Sequence, residues 1–419
     1  MRRGRLCLNQ HSMERVREMR STRINRKPLI IVSASALLIS IGISASTGFW
    51  VIMALPIGFL FGFFLQKGDL CGAAGCSEVL LFRSWDKLYG IWICIITCMA
   101  LFACFDLLGW INLNPHPLYW VSDIVGGLIF GAGSVLAGGC ITGSLYKSGT
   151  GNLNSIAAIF GMPVGLLSVW TGFLNPAYKW MNGFEIKAKN GGPFTLTSLT
   201  GISYQVLTLI FLILTFSAIL LFFRRKRPDV PLKGGLSFPV TRSWKHWKSG
   251  IAIGILAVPA YMCAAKSGYN YPHGTTGGLS SAILLATEKN PQVIWTDDIL
   301  VTLRALKRNS DDPAHRSRPI ILWIVLLWAG LIPGSWVSAR LSGQAKLLPK
   351  PRSQILAAFA GGILLGLGAG LADGCFYGNV VSGWALMSVA GVFFGFAMLL
   401  SNWATTYLYL MGGSVWRKK

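Results

Sequence analysis

The sequence predicts an all-α polytopic integral membrane protein, and three observations predict it. Of 419 residues, 53% are hydrophobic and only 13% charged, where a soluble domain carries about 25% charge. Mean hydropathy is +0.54. The apolar residues fall in long runs, and the 38 Lys and Arg, set against 15 Asp and Glu for a net charge of +23, cluster between those runs. A basic total of that size suits nucleic acid or an anionic surface. Its placement between apolar runs reads instead as topology anchoring beside membrane lipid, so no nucleic-acid partner is expected. A soluble enzyme is disfavoured, and no catalytic residue is expected.

Residues 1 to 28 form a basic tail with nine Lys and Arg, Arg2 to Lys27. The apolar run that follows has no convincing small-residue cleavage pattern, so it reads as an uncleaved first span. A crossing takes about 20 apolar residues. Candidate runs lie at 29–46, 50–66, 88–110, 124–140, 154–174 and 200–223, then at 250–265, 320–339, 355–373 and 383–411. Several are short and studded with Gly, which predicts half-helices or re-entrant pieces shielded inside the protein. Basic clusters at the N-terminus, Arg224 to Lys248, Arg340 to Arg352 and Arg417 to Lys419 are expected in the cytoplasm, whereas 111–123, without Lys or Arg, is expected outside. The expected organisation is a first membrane repeat at 29–223, a cytoplasmic linker at 224–249, a second repeat at 250–412 and a cytoplasmic tail at 413–419. Within the second repeat, 286–319 reads as a polar insertion, with Pro291, Asp297, Asp298, Asp311 and Asp312.

An internal repeat carries the architecture further. Residues 126–145 read GGLIFGAGSVLAGGCITGSL and residues 361–380 read GGILLGLGAGLADGCFYGNV. At a constant offset of 235, nine positions coincide: Gly126/Gly361, Gly127/Gly362, Gly131/Gly366, Gly133/Gly368, Leu136/Leu371, Ala137/Ala372, Gly139/Gly374, Cys140/Cys375 and Gly143/Gly378. In the expected topology the first copy runs inward and the second outward. Inverted repeats with Gly-broken helices that meet near the midplane are the architecture of many secondary transporters, with the substrate between the repeats. An inverted-repeat transporter with short re-entrant or broken helices is therefore expected, with Cys140 and Cys375 approaching across a pseudo-two-fold. Close helix packing explains the glycines equally well, but not the Gly-Cys that ends each motif. A third element, Gln66 to Cys76, closes the second apolar run; its counterpart in the second half is Tyr271 to Gly278, where Thr and Gly replace the cysteine.

The nine cysteines are Cys7, Cys71, Cys76, Cys94, Cys98, Cys104, Cys140, Cys263 and Cys375. An odd number inside apolar segments does not suggest a disulfide framework, and no metal site is expected, because neither Cys-x-x-Cys nor a His at ligand spacing appears. Packing is the favoured reading for Cys94, Cys98, Cys104 and Cys263. Cys71, Cys140 and Cys375 differ, because each sits in a Gly-rich break, with Gly139, Thr142 and Gly143 around one and Gly374 and Gly378 around another. A helix N-terminus at such a break offers free N–H groups to a small anion, while a thiol can meet a sulfur atom. Three such thiols would make a relay; as steric fillers they would do nothing. Asp69 and Asp373, each two residues before a motif cysteine, are functional candidates as acids at membrane depth. Lys67 and Lys147 could attract an anion or serve as interface anchors.

On these motifs the chain resembles the YeeE/YedE family of sulphur-transport membrane proteins. The resemblance covers about residues 50 to 400 and is strongest in QKGDLC (66–71), LAGGCITG (136–143), LADGC (371–375) and the Gly-x-Gly-Asn-Leu run at 149–153. It implies an hourglass-like set of inverted repeats that takes up thiosulfate along three cysteines, which fall here on Cys71, Cys140 and Cys375. It implies a setting in which a small cytoplasmic sulfur-carrier protein receives the sulfur; other members are linked to selenium. No cofactor is expected. Gly72 stands where the family has an aromatic, and the polar insertion lengthens one half. The expected function is import of thiosulfate or a related small sulfur-containing anion across a bacterial inner membrane, both termini cytoplasmic. Alternatives are transport of selenium or another sulfur compound, and a membrane thiol-disulfide oxidoreductase with a Cys140–Cys375 or Cys71–Cys76 crosslink. A structural membrane partner ranks last, because it leaves the repeated cysteines unexplained.

Overall fold

The structure, a computed structural model, describes residues 26–188, 191–225, 242–288, 291–296, 319–347 and 349–412. The basic tail before residue 26, the linker at 226–241, the insertion at 297–318 with its four aspartates, and the tail at 413–419 lie outside the described residues. Residues 1–39 and 40–419 are two compact units. The first holds most of helix α1 (Arg26–Thr47); everything that follows belongs to the second.

Each expected apolar run contains a helix. The first half comprises α2 (Ala54–Gly68), α3 (Gly72–Phe82), α4 (Asp86–Leu107), β1 (Leu118–Tyr119), α5 (Trp120–Leu136), α6 (Ile141–Gly149), α7 (Leu153–Trp170), α8 (Asn175–Asn182), β2 (Glu185–Ile186), α9 (Leu196–Thr200) and α10 (Tyr204–Arg225). The second comprises α11 (His246–Lys266), α12 (Gly278–Thr287), β3 (Val293–Ile294), β4 (Ile320–Ile321), α13 (Leu322–Ser342), α14 (Arg352–Leu371), a π-helical turn at Phe376–Ser382 and α15 (Val389–Thr405). The parallel pairing of β3 with β4 brings the two ends of the polar insertion together.

Among the described residues, eight helical segments are long and apolar enough to cross a membrane. Two of them, Trp50–Phe82 and Trp120–Gly149, are broken pairs, α2 with α3 and α5 with α6. The 15 residues of α2 reach only ~22 Å at 1.5 Å per residue, short of a ~30 Å hydrocarbon core. Its end therefore lies inside the protein. On α10, Leu209, Ile213, Leu214, Phe216 and Leu221 are exposed, a surface that suits lipid and not water.

The packing is symmetric in the two halves. α2 packs on α13 as α11 packs on α4; α7 packs on α14 as α15 packs on α5; α2 meets α11, and α5 meets α14. Exchanging α2 with α11, α4 with α13, α5 with α14 and α7 with α15 leaves this pattern unchanged, which is the signature of a pseudo-two-fold. Many of the glycines serve these contacts. A Cβ on Gly58 or Gly62 would strike the carbonyls of Leu327 and Leu331, and one on Gly330 or Gly334 those of Leu55 and Phe59. The same holds for Gly126, Gly133, Gly361 and Gly368 at the α5–α14 crossing. Close backbone approach between membrane helices needs small residues at the crossing, so for these repeat glycines packing is the operative reason.

Candidate functional site

Four helix breaks enter the interior, and a left-handed residue lies in each: Asp69 (φ 45°), Gly138 (φ 74°), Gly277 (φ 87°) and Asp373 (φ 52°). Left-handed backbone is open to Gly and tolerated by Asp. At Asp69 it ends α2, with the Asp69 N–H bonding back to the carbonyls of Gln66 and Leu65. Asp373 does by conformation what Gly138 does in the other repeat, so one role of the sequence-predicted acids is to turn the chain. The residue two places beyond Asp69, Gly138 and Asp373 is in each case the motif cysteine, and Cys71, Cys140 and Cys375 are the N-caps of α3, α6 and the π-helical turn.

All three thiols are fully buried. The Sγ atoms of Cys71 and Cys140 stand 3.9 Å apart, and the Gly143 N–H donates to Cys140 Sγ at 3.3 Å. Gly139 and Gly143 leave room for Cys71: a Cβ on Gly139 would lie 3.3 Å from its Sγ, and one on Gly143 would collide with it. Cys375 connects to this pair through hydroxyls. Thr275 Oγ1 lies 3.1 Å from Cys375 Sγ, Thr142 Oγ1 lies 3.8 Å from the same sulfur, and the two hydroxyls bond to each other at 2.8 Å. The sequence expectation that Cys140 and Cys375 approach each other is therefore refined: Cys140 meets Cys71, and hydroxyls bridge the way to Cys375.

Beyond Cys375 lies a cavity of about 230 Å³ lined by Asn114, His116, Tyr269, Tyr271, Thr276, Asp373, Gly374, Gly378 and Asn379, among others. Gly374 accommodates the Asn379 amide, and Gly378 presents its carbonyl to Tyr271 Oη at 2.8 Å. At the opposite end, beside Cys71, the charged residues gather. Lys87 Nζ binds Asp69 at 2.6 Å and Glu78 at 2.7 Å, Tyr146 Oη donates to the other Asp69 oxygen at 2.7 Å, and Lys147 Nζ donates to the Gly138 carbonyl at 2.7 Å. Lys67 is buried and donates to Ser342 Oγ at 2.6 Å. Lys87 carries no motif signal and Tyr146 only that of the Tyr that follows the LAGGC motif; the return of α4 and α6 to the Asp69 turn brings both in. Thr275 had a weak signal, the counterpart segment Tyr271 to Gly278. Gly72, which departs from the aromatic the resemblance implies, is explained by Phe376, whose ring occupies the space a Gly72 side chain would need.

The fold defines a polytopic helical membrane protein, with buried thiols and hydroxyls gathered where its helix breaks meet. The chain belongs to the sulphur transport family, whose model matches residues 67–404. It is similar to the thiosulfate transporter TsuA of Spirochaeta thermophila, with 27% identity over 366 residues, which is 84% of this chain and 97% of that protein. It is also similar to the thiosulfate transporter TsuA of Escherichia coli, with 22% identity over 364 residues, 85% of this chain and 94% of that one.

Proposed function

We propose that this protein imports thiosulfate, or a related small sulfur-containing anion, across the inner membrane, and that the anion passes Cys375, Cys140 and Cys71 in that order. The observation that carries the reading is the succession from the 230 Å³ cavity, which Gly374 lines, to Cys375, the Thr142 and Thr275 hydroxyls and the Cys140–Cys71 pair, with all five of these residues buried. Each thiol caps a helix N-terminus, where unpaired N–H groups and the helix dipole favour an anion, while the sulfur itself can meet the outer sulfur of thiosulfate. Gly139, Gly143, Gly374 and Gly378 keep the backbone close to the path. The cavity is the external mouth, on the side of the loop at 111–119 that lacks Lys and Arg, and the Lys67, Lys147 and Lys87 end faces the cytoplasm. The two halves, 29–223 and 250–412, are the inverted repeats, and a small sulfur-carrier protein would collect the product at the lysine end.

Uptake of labelled thiosulfate by cells expressing Cys140→Ala decides the relay. A loss of about tenfold is expected, since the sulfur contact alone contributes on the order of 1 kcal/mol and the helix N-terminus stays in place. Undiminished uptake would sink the relay. One observation favours a second reading: two thiols 3.9 Å apart suit a thiol-disulfide oxidoreductase. That reading requires a Cys71–Cys140 crosslink under mild oxidation, with partner disulfides exchanged in step.

A further inference from the structure

The two repeats differ at one position on the path. In the first, the break between α2 and α3 sets the Cys71 thiol 3.9 Å from Cys140. In the second, the corresponding break between α11 and α12 sets the Thr275 hydroxyl 3.1 Å from Cys375. Thr275 thus holds the place of Cys71, with oxygen for sulfur. It is wholly buried, as is Thr142, and its loop is fixed by Trp328, whose Nε1 donates to the Thr275 carbonyl at 2.7 Å. Next to it, Thr276 faces the cavity, and its buried Oγ1 has no partner among the described residues.

We propose that the Thr142–Thr275 hydroxyl pair is both the constriction between the cavity and the Cys140–Cys71 pair and the element that recognises the oxygen end of the anion. The proposal rests on the thiosulfate reading and deepens it. A hydroxyl is a full hydrogen-bond donor with two acceptor sites, whereas S–H is a weak donor. Each Thr hydroxyl has one hydrogen. With the hydroxyls bonded to each other at 2.8 Å, one hydrogen is spent within the pair and the other is left for a further acceptor, with Cys375 Sγ within reach. An oxyanion arriving from the cavity offers a stronger acceptor, because hydrogen bonds to charged groups are roughly twice as strong as neutral ones. Both hydroxyls then turn to its oxygens, their mutual bond breaks, and the passage opens. The thiols on either side take the sulfur end. An anion carrying both oxygens and an exposed sulfur satisfies the two kinds of group together; sulfate encloses its sulfur within its oxygens and hydrosulfide lacks the oxygens.

The test uses the full-length protein in proteoliposomes and two readouts. The first is the rate of labelled thiosulfate uptake in wild type, Thr275→Val and Thr275→Ser. Valine keeps the shape and removes the hydroxyl, and the expected loss is about ten- to a hundredfold, with serine within a fewfold of wild type. Equal uptake in Thr275→Val, or equal loss in the serine and valine variants, would overturn the recognition role. The second readout does not depend on uptake: alkylation of Cys140 by a small thiol reagent added from the cavity side, read by peptide mass mapping. Thr142→Ala/Thr275→Ala is expected to speed it at least about tenfold, with unaltered thermal unfolding in detergent; an unchanged rate would overturn the constriction. Wild-type protein that takes up no thiosulfate would overturn the transport reading instead, and the alkylation result would still decide on the constriction.

Discussion

Gly143 sits in the first turn of α6 with ordinary helical backbone, so on an exposed helix its replacement by Ala would stabilise by about 1 kcal/mol. Here the added methyl would collide with Cys71 Sγ and lie 3.4 Å from Cys140 Sγ. Gly143→Ala is therefore expected to abolish most thiosulfate uptake while the protein still assembles in the membrane, measured by transport against expression level. The cysteine at each break was legible, because Gly-Cys recurs at a fixed offset in a chain whose other cysteines follow no pattern. The neighbours of those cysteines were legible only in part. Thr142 shares a motif with Cys140, but Thr275 lies 133 residues away in sequence and reaches the site only through the fold. The pairing of Cys71 with Cys140 was likewise hidden, since it depends on how two breaks face each other across the interior.

At the scale of elements, the helices read clearly from apolar runs, and their breaks from short length and glycine. What sequence did not decide was which glycines pack and which clear the path. Gly62 faces the Leu331 carbonyl at the α2–α13 crossing; Gly62→Val is expected to overpack that crossing, a cost of about 1–3 kcal/mol, seen as earlier thermal unfolding in detergent. The turn after α2 makes a second case. Asp69 ties α4 and α6 to it through Lys87 and Tyr146, and Lys87 also holds Glu78. Lys87→Met leaves two carboxylates without their shared cation, so it is expected to lower Tm. Adding Asp69→Asn is expected to restore part of the loss, with a coupling of about 1 kcal/mol in a double-mutant cycle.

For the whole molecule, the placement of the basic clusters underlies the proposed orientation, and that orientation gives a prediction. Asn114 lines the cavity, whereas Gln344 bonds Gln66 near the lysine end. Asn114→Cys is expected to react with a membrane-impermeant thiol reagent on intact cells, and Gln344→Cys only after the cells are opened; the reverse pattern would invert the proposed direction. The exchange symmetry of the helix contacts was foreshadowed by the repeat, but the pairing of α2 with α13 could not be seen in a sequence where both are equally apolar. The symmetry also leaves the middle of the path to neutral groups. Among the described residues, the side chains that meet between Cys375 and Cys140 are hydroxyls and thiols, while Lys67, Lys87 and Lys147 stand at one end. A divalent anion that crosses alone on the proposed route carries its whole charge through the membrane's electric field. Against an inside-negative voltage, inward passage is opposed by about 2.3 kcal/mol per charge per 100 mV, or about 4.6 kcal/mol for a dianion. Depolarising the vesicles should therefore speed uptake, and in the cell net entry of the lone anion continues only where metabolism consumes it as it arrives.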